Sequence, residues 1–362
     1  MTTNFASLRA HSGIKSGKLS VGGALAALLL TACVSVPIAS GSAQALPRVA
    51  TPTCTPSLSA LLVPTCGTLF GSTINTKGSE RSSLDSIARQ EAQLGRPLDI
   101  VHTYYAGAQS WPYANETALV TDRSRQRYLF ANWKPENGST WAQVAAGRQD
   151  ALIDAAAARI KQRLQGRPFF LAIHHEPEND LNAGIPGMRA SDYQAMFRHV
   201  VQRLRADGAK FVSVWVMMSW HTHGERGLYS SAPTGFYPGD DVVDWIGADP
   251  YLFNGATLKS VIDQTASRGW PGFYTWATRD HRDKPIMLAE VGVSAPTTTQ
   301  RAAALRALPA QVAALPAIKA VVAFNHGVDK NARYDYSLDT NPTVLSAARA
   351  AFSSPPFVRI GS

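Results

Sequence analysis

Two carboxylates in this chain stand where a reacting bond could lie between them. Glu176 follows the apolar run Phe169–Ile173 by way of His174 and His175, and Glu290 follows Pro285–Ala289. A segment that stays apolar and then presents a carboxylate is aiming that group at something. Two such groups facing each other can act on one acetal. One carboxylic acid protonates the leaving oxygen while the other attacks carbon or activates water, which is the chemistry of glycosidic-bond hydrolysis. Carboxyl groups about 5–5.5 Å apart would go with retention of configuration, and a separation of about 7 Å or more would exclude it.

The elements that must position such a pair are legible as an alternation. Apolar runs of strand length occupy 67–74, 97–105, 127–133, 168–175, 211–218, 243–251, 285–293 and 318–326. Helical patterns at three- and four-residue spacing lie between several of them, at 79–95, 140–166, 191–208 and 297–315. Gly95 and Gly166 stop two of these, and Pro309 is expected to kink or split the last. Short continuous apolar strands separated by helices imply a parallel sheet with a covered outer face. Eight units over this length suit a closed (β/α)8 TIM barrel in a single domain. A doubly wound sheet is less favoured, because no G-x-G-x-x-G or Walker spacing follows the first run. In a barrel, chemistry sits at the C-terminal strand ends. The fourth and seventh strands, which carry Glu176 and Glu290, lie across that mouth from each other.

Composition bounds the setting. The chain has 362 residues, 35 Lys and Arg against 26 Asp and Glu, and 45% hydrophobic residues, as in a globular protein. Residues 1–45 read as a secretory signal peptide: Arg9, Lys15 and Lys18 lead, an apolar run follows, and Ala43-Gln44-Ala45 fits a cleavage site. Without those three cations the balance is 32 against 26, scattered and without the basic runs of a nucleic-acid binder. Leu30 to Cys33 also resembles a lipobox, so the protein is expected to be secreted, or lipid-anchored at the cell surface if Cys33 is lipidated. A Pro/Thr-rich lead, 46–64, precedes the barrel, 65–362. Cys54 and Cys66 are expected to form a disulfide stapling that lead.

The segments around the two glutamates resemble glycoside hydrolase family twenty-six, the β-mannanases of the retaining clan-A barrels. Phe236 to Tyr251, "FYPGDDVVDWIGADPY", is the most specific part, "DKPIMLAEVGV" resembles the family's nucleophile strand, and the likeness runs from about Gly67 to Phe352. The resemblance implies Glu176 as acid/base and Glu290 as nucleophile. It further implies that Tyr251 hydrogen-bonds the nucleophile, that Asp249 and His102 meet the sugar, and that His175 orients the acid or touches the sugar. The chain departs where relatives place tryptophan after the acid, here Pro177 to Leu181, and tryptophan or arginine after the eighth strand, here Asn325-His326-Gly327. Those positions shape sugar subsites. β-Mannan is therefore the first expectation, with a β-glucan, a β-xylan or a cell-envelope glycan as alternatives. A carbohydrate-binding barrel without turnover is the rival from another class.

Other residues have plainer readings. Glu178 is too close to Glu176 to straddle a substrate and is expected at the rim or in a structural role. His221, His223 and Glu225 form a weak metal pattern, and neither a metal nor a cofactor is expected. Residues 329–340 lack the glycine and glutamate of a calcium loop and read as a loop. Trp111 and Trp220 are the foremost candidates for sugar-stacking platforms, and Trp215 and Trp245 for core. A monomer is expected, with a polysaccharide as its partner.

Overall fold

Each of the eight apolar runs becomes a strand, because β-branched and aromatic residues pack well on a pleated surface covered on both faces. The computed structural model describes residues 54–74, 84–182, 184–218, 235–265, 270–327 and 334–361. The strands are β1 (Leu69–Thr73), β2 (Ile100–Ala106), β3 (Tyr128–Lys134), β4 (Phe170–Ile173), β5 (Val212–Met218), β6 (Trp245–Asp249), β7 (Tyr251–Phe253), β8 (Ile286–Ser294) and β9 (Ile318–Ala323). Neighbours pair in parallel from β1 through β6, then β6 with β8, β8 with β9, and β9 with β1. That circuit is the closed (β/α)8 barrel. β7 leaves the circuit after Pro250 and pairs only with the upper part of β8, Tyr251 opposite Gly292.

Period-two alternation sorts the side chains. Leu69, Ile100, Phe130, Phe170, Val212, Trp245, Met287 and Ala320 fill the interior near the strand starts. Their neighbours Phe70, Val101, Leu129, Leu171, Ile246, Leu288 and Val321 face outward into the helix layer. That layer comprises α1 (Leu84–Leu94), α2 (Ala114–Thr121), α3 (Trp141–Ala145), α4 (Asp150–Leu164), α5 (Ala190–Ala206), α6 (Leu258–Ile262), α7 (Phe273–Asp280), α8 (Thr298–Ala313) and α9 (Pro342–Phe352).

Two expectations about helices are corrected. Segment 140–166 is two helices, α3 and α4, because Gly147 takes a left-handed φ of +89° between them. Pro309 neither splits nor ends α8. It lies on the buried face with Leu305, Leu308 and Val312, and packing there carries the helix past the missing N–H.

The N-terminal lead closes the barrel floor. Cys54 and Cys66 are disulfide-bonded. Within that loop Leu62 packs into the interior layer, and Trp245 Nε1 donates to Leu61 O at 2.7 Å. The last residues return to the same end, where Thr68 pairs with Phe357 and Ile360 joins the layer. Among the described residues no helix is long and apolar enough to cross a membrane.

Candidate active site

The two glutamates reach the barrel mouth by different backbone devices. On β8, Leu288 pairs with Val321 but Val291 with Ala323, so one residue too many lies on β8 between them. Such a bulge breaks the alternation and re-aims a side chain. Here it turns Glu290 to the mouth. On β4 the ladder continues past the strand, with His174 N bonded to Trp133 O and Glu176 N to Val216 O. His174 and Glu176 both have φ of +49°, a left-handed conformation that costs a non-glycine residue about 1–3 kcal/mol and persists only when neighbours enforce it.

Glu290 is nearly buried and doubly held. Tyr104 Oη donates to its Oε1 at 2.6 Å, Tyr251 Oη donates to its Oε2, and His175 Nε2 stands 3.9 Å from Oε1. Tyr251 reaches this position because its ring lies over Gly292, where a Cβ would come within 2.3 Å of Tyr251 Cδ1. Glu176 receives Asn179 Nδ2 at 2.9 Å and has no comparable set of donors.

This asymmetry decides the protonation states. Burial, with the charge of Glu290 adding to it, pushes the Glu176 carboxyl from 4.5 up to about 8. Burial also raises Glu290, but the hydroxyls of Tyr104 and Tyr251 and the nearby His326 pull against it. Both carboxyls lie above their ordinary value, and the two tyrosine donors favour the negative charge on Glu290 and the proton on Glu176. Burial drives His175 down to about 3, so its ring is a neutral neighbour of both carboxyls.

Tyr104 was not singled out from the sequence, although it is the one described residue of the β2 tip that is both exposed (42%) and bonded to Glu290. The signal was present in the inward column Ile100–His102–Tyr104. His102 is 1% exposed, stacked on Phe130 and in contact with the Tyr104 ring. Its Nε2 meets Asn132 Nδ2 at 2.9 Å and its Nδ1 lies 3.4 Å from Tyr104 Oη. Because the Tyr104 proton is given to Glu290, Nδ1 must carry the ring proton and Nε2 must accept from Asn132.

Asp249 also lies deep. It is fully buried at the end of β6, close to Glu290, where burial and the charges of Glu290 and Glu176 push its carboxyl well above the ordinary range. Trp111 is no platform: with 0% exposure it packs against Tyr105, Trp133 and Phe169 in the helix-facing core. Trp215 and Trp245 are in the core as expected. Trp220, His221, His223 and Glu225 lie outside the described residues. Glu178 is buried and accepts the Met218 N–H at 2.8 Å, tying the acid-bearing loop to β5. Asn325 holds the loop after β9 by accepting the Leu338 N–H.

The closed (β/α)8 barrel thus brings two unequally held carboxyls, Glu176 and Glu290, to its mouth. No family model matches the chain. Among curated proteins it is 31% identical over 238 residues to Endoglucanase H of Acetivibrio thermocellus, covering 62% of this chain and 24% of that protein. It is 34% identical over 108 residues to β-1,3-xylanase TXYA of a Vibrio species, covering 29% and 21%. The match thus spans about a quarter of these relatives' length. Among solved structures, a modular family 26 endo-β-1,4-mannanase from Cellulomonas fimi superposes with a TM-score of 0.56 at 17% identity over 81% of this chain and 72% of that one. A family 26 β-1,4-mannanase from Podospora anserina gives 0.53 at 18%, over 81% and 62%. A β-mannanase from a symbiotic protist of the termite Reticulitermes speratus gives 0.52 at 13%, over 81% and 88%. The fold is that of the family 26 mannanases, as the sequence resemblance implied, and the relatives named here are glycoside hydrolases.

Proposed function

We propose that the protein is a retaining endo-β-glycosidase that cleaves a β-linked polysaccharide by double displacement. The observation that carries this reading is the unequal pair: Glu290 is clamped by two tyrosine hydroxyls, whereas Glu176 accepts, among the described residues, only from Asn179 and is raised by burial. Glu290 attacks the anomeric carbon while the bond to the leaving oxygen breaks, and Glu176 gives that oxygen its proton. The resulting glycosyl ester removes the charge of Glu290, so Glu176 becomes more acidic and can act as base. It then takes a proton from water, whose oxygen displaces Glu290 from the anomeric carbon.

β-Mannan is the first substrate to consider, on the fold shared with family 26 mannanases. A second reading, another β-glycan, is favoured by two observations. The curated relatives carry endoglucanase and β-1,3-xylanase names, and the tryptophan positions after Glu176 and β9 are otherwise occupied. An exported protein that meets its polymer outside the cell completes the proposal. The test is hydrolysis of mannan, glucomannan, lichenan, xylans and actinobacterial wall glycans by the purified protein beside Glu290→Ala. The anomer first released is read by NMR. Activity abolished in the variant, with a β-anomer released first, supports the reading. Inverted product refutes retention, and binding without turnover refutes the enzyme in favour of a binding barrel.

A further inference from the structure

The loop that carries Glu176 begins and ends on one contact. His174, at its root, is buried. Its Nδ1 meets Glu136 Oε1, and its Nε2 lies 2.9 Å from Asp180 Oδ2. Glu136, from the turn after β3, also accepts Trp141 Nε1 at 3.1 Å. Asp180 also accepts Lys134 Nζ, from the end of β3, at 2.5 Å. Between His174 and Asp180 the chain makes its left-handed residue Glu176 and then the short helical turn Pro177–Asn179.

Both ring nitrogens of His174 face carboxylate oxygens. A neutral imidazole has one N–H, so one of its two contacts would set a lone pair against a carboxylate. The imidazolium donates to both carboxylates at once, and the Trp141 N–H, which also lies 3.3 Å from Nδ1, then goes to Glu136 Oε1. We propose that His174 is a positioning residue for the acid: its cationic ring pins both ends of loop 174–180 and so holds Glu176 in the left-handed conformation that presents its carboxyl to the mouth. This inference rests on the reading of Glu176 as acid/base.

The surroundings agree. Burial opposes charge on His174, yet Glu136 and Asp180 outweigh it and hold the ring above its ordinary value. Burial should raise Glu136, but His174 keeps it low. Of the other groups that face the ring, Lys134 opposes the charge, the Trp141 indole and the Tyr193 phenol of α5 are neutral, and His175 is driven neutral. The clip is therefore complete below pH 6.5 and is lost as pH rises through the elevated value.

The experiment compares His174→Gln with wild type on two aryl β-glycosides of the same sugar, mannobiosides or cellobiosides. The 2,4-dinitrophenyl leaving group needs no proton and the phenyl leaving group needs one. We expect kcat/KM to fall about 10²-fold on the phenyl glycoside and by less than about threefold on the dinitrophenyl one, the pattern of a misplaced general acid. Equal losses on both substrates, or no loss on either, overturn the inference. Should the variant fail to fold, Asp180→Asn cuts the same clip from its outer end and is read in the same way. An NMR titration of His174 supplies a second readout, and a ring that titrates at or below 6.5 overturns the imidazolium. The sugar of both glycosides is that of the polymer the protein hydrolyses in the panel above; wild type inert on every polymer there, or unaffected by Glu290→Ala, instead defeats the functional reading on which the clip depends.

Discussion

Replacing Glu176 by glutamine gives a prediction that needs no substrate. The folded carboxyl titrates at about 8 against 4.5 when unperturbed. Between those values the folded protein holds a proton that the unfolded chain has released, so stability falls as pH rises from 4.5 to 8. Each pH unit corresponds to about 1.4 kcal/mol, which sets a ceiling of roughly 5 kcal/mol. Glu176 is partly exposed and screened by solvent, so about 1–3 kcal/mol is expected to survive. Glutamine keeps an acceptor for Asn179 Nδ2 and never ionises. Urea unfolding at pH 5, 7 and 9 should therefore show near-equal stability at pH 5 and a widening advantage for Glu176→Gln above it, by about 1–3 kcal/mol at pH 9. A difference that stays flat across this range, or a variant less stable than wild type at pH 9, would mean that the carboxyl is not held protonated. The assignment of acid and nucleophile would then lose its electrostatic basis.

Tyr104→Phe and Tyr251→Phe each remove a hydroxyl donor that stabilises ionised Glu290. The acidic limb of kcat/KM should move to higher pH by about one to two units in each, since a hydrogen bond to a charged group is worth about 1.5–3 kcal/mol. An unmoved limb excludes the clamp. Gly292→Ala forces a methyl into the space of the Tyr251 ring. It should shift the same limb as Tyr251→Phe does and lower unfolding stability by about 1–3 kcal/mol. Trp111→Ala should cost about 3–5 kcal/mol of stability with KM for soluble oligosaccharides unchanged. A large rise in KM at native stability would restore Trp111 to the cleft.

The barrel was legible because its strands are buried on both faces and so appear as unbroken apolar runs. Glu176 and Glu290 stood out for the same reason, since each is the first carboxylate after such a run. What the linear pattern could not supply is depth along the barrel axis. His102 and Asp249 lie at strand ends in the chain but one layer below the surface in space. Tyr104, two residues beyond His102, emerges where His102 does not. The bulge between Leu288 and Val291 and the left-handed turns at His174 and Glu176 leave no compositional mark, because neither uses glycine at the turning residue. Trp111 looked like a loop residue because the segment that follows β2 is polar, yet its ring turns inward to the aromatic stack under α4.

The closure of the barrel floor has an architectural consequence. The lead around Leu62 and the returning tail around Phe357 and Ile360 both pack at the strand starts, at the pole opposite Glu176 and Glu290. Both ends of the described fold therefore lie on the side away from the two glutamates. A fusion partner, an immobilising tag or a tether joined beyond Cys54 or Gly361 would leave the mouth with Glu176 and Glu290 facing away from the support.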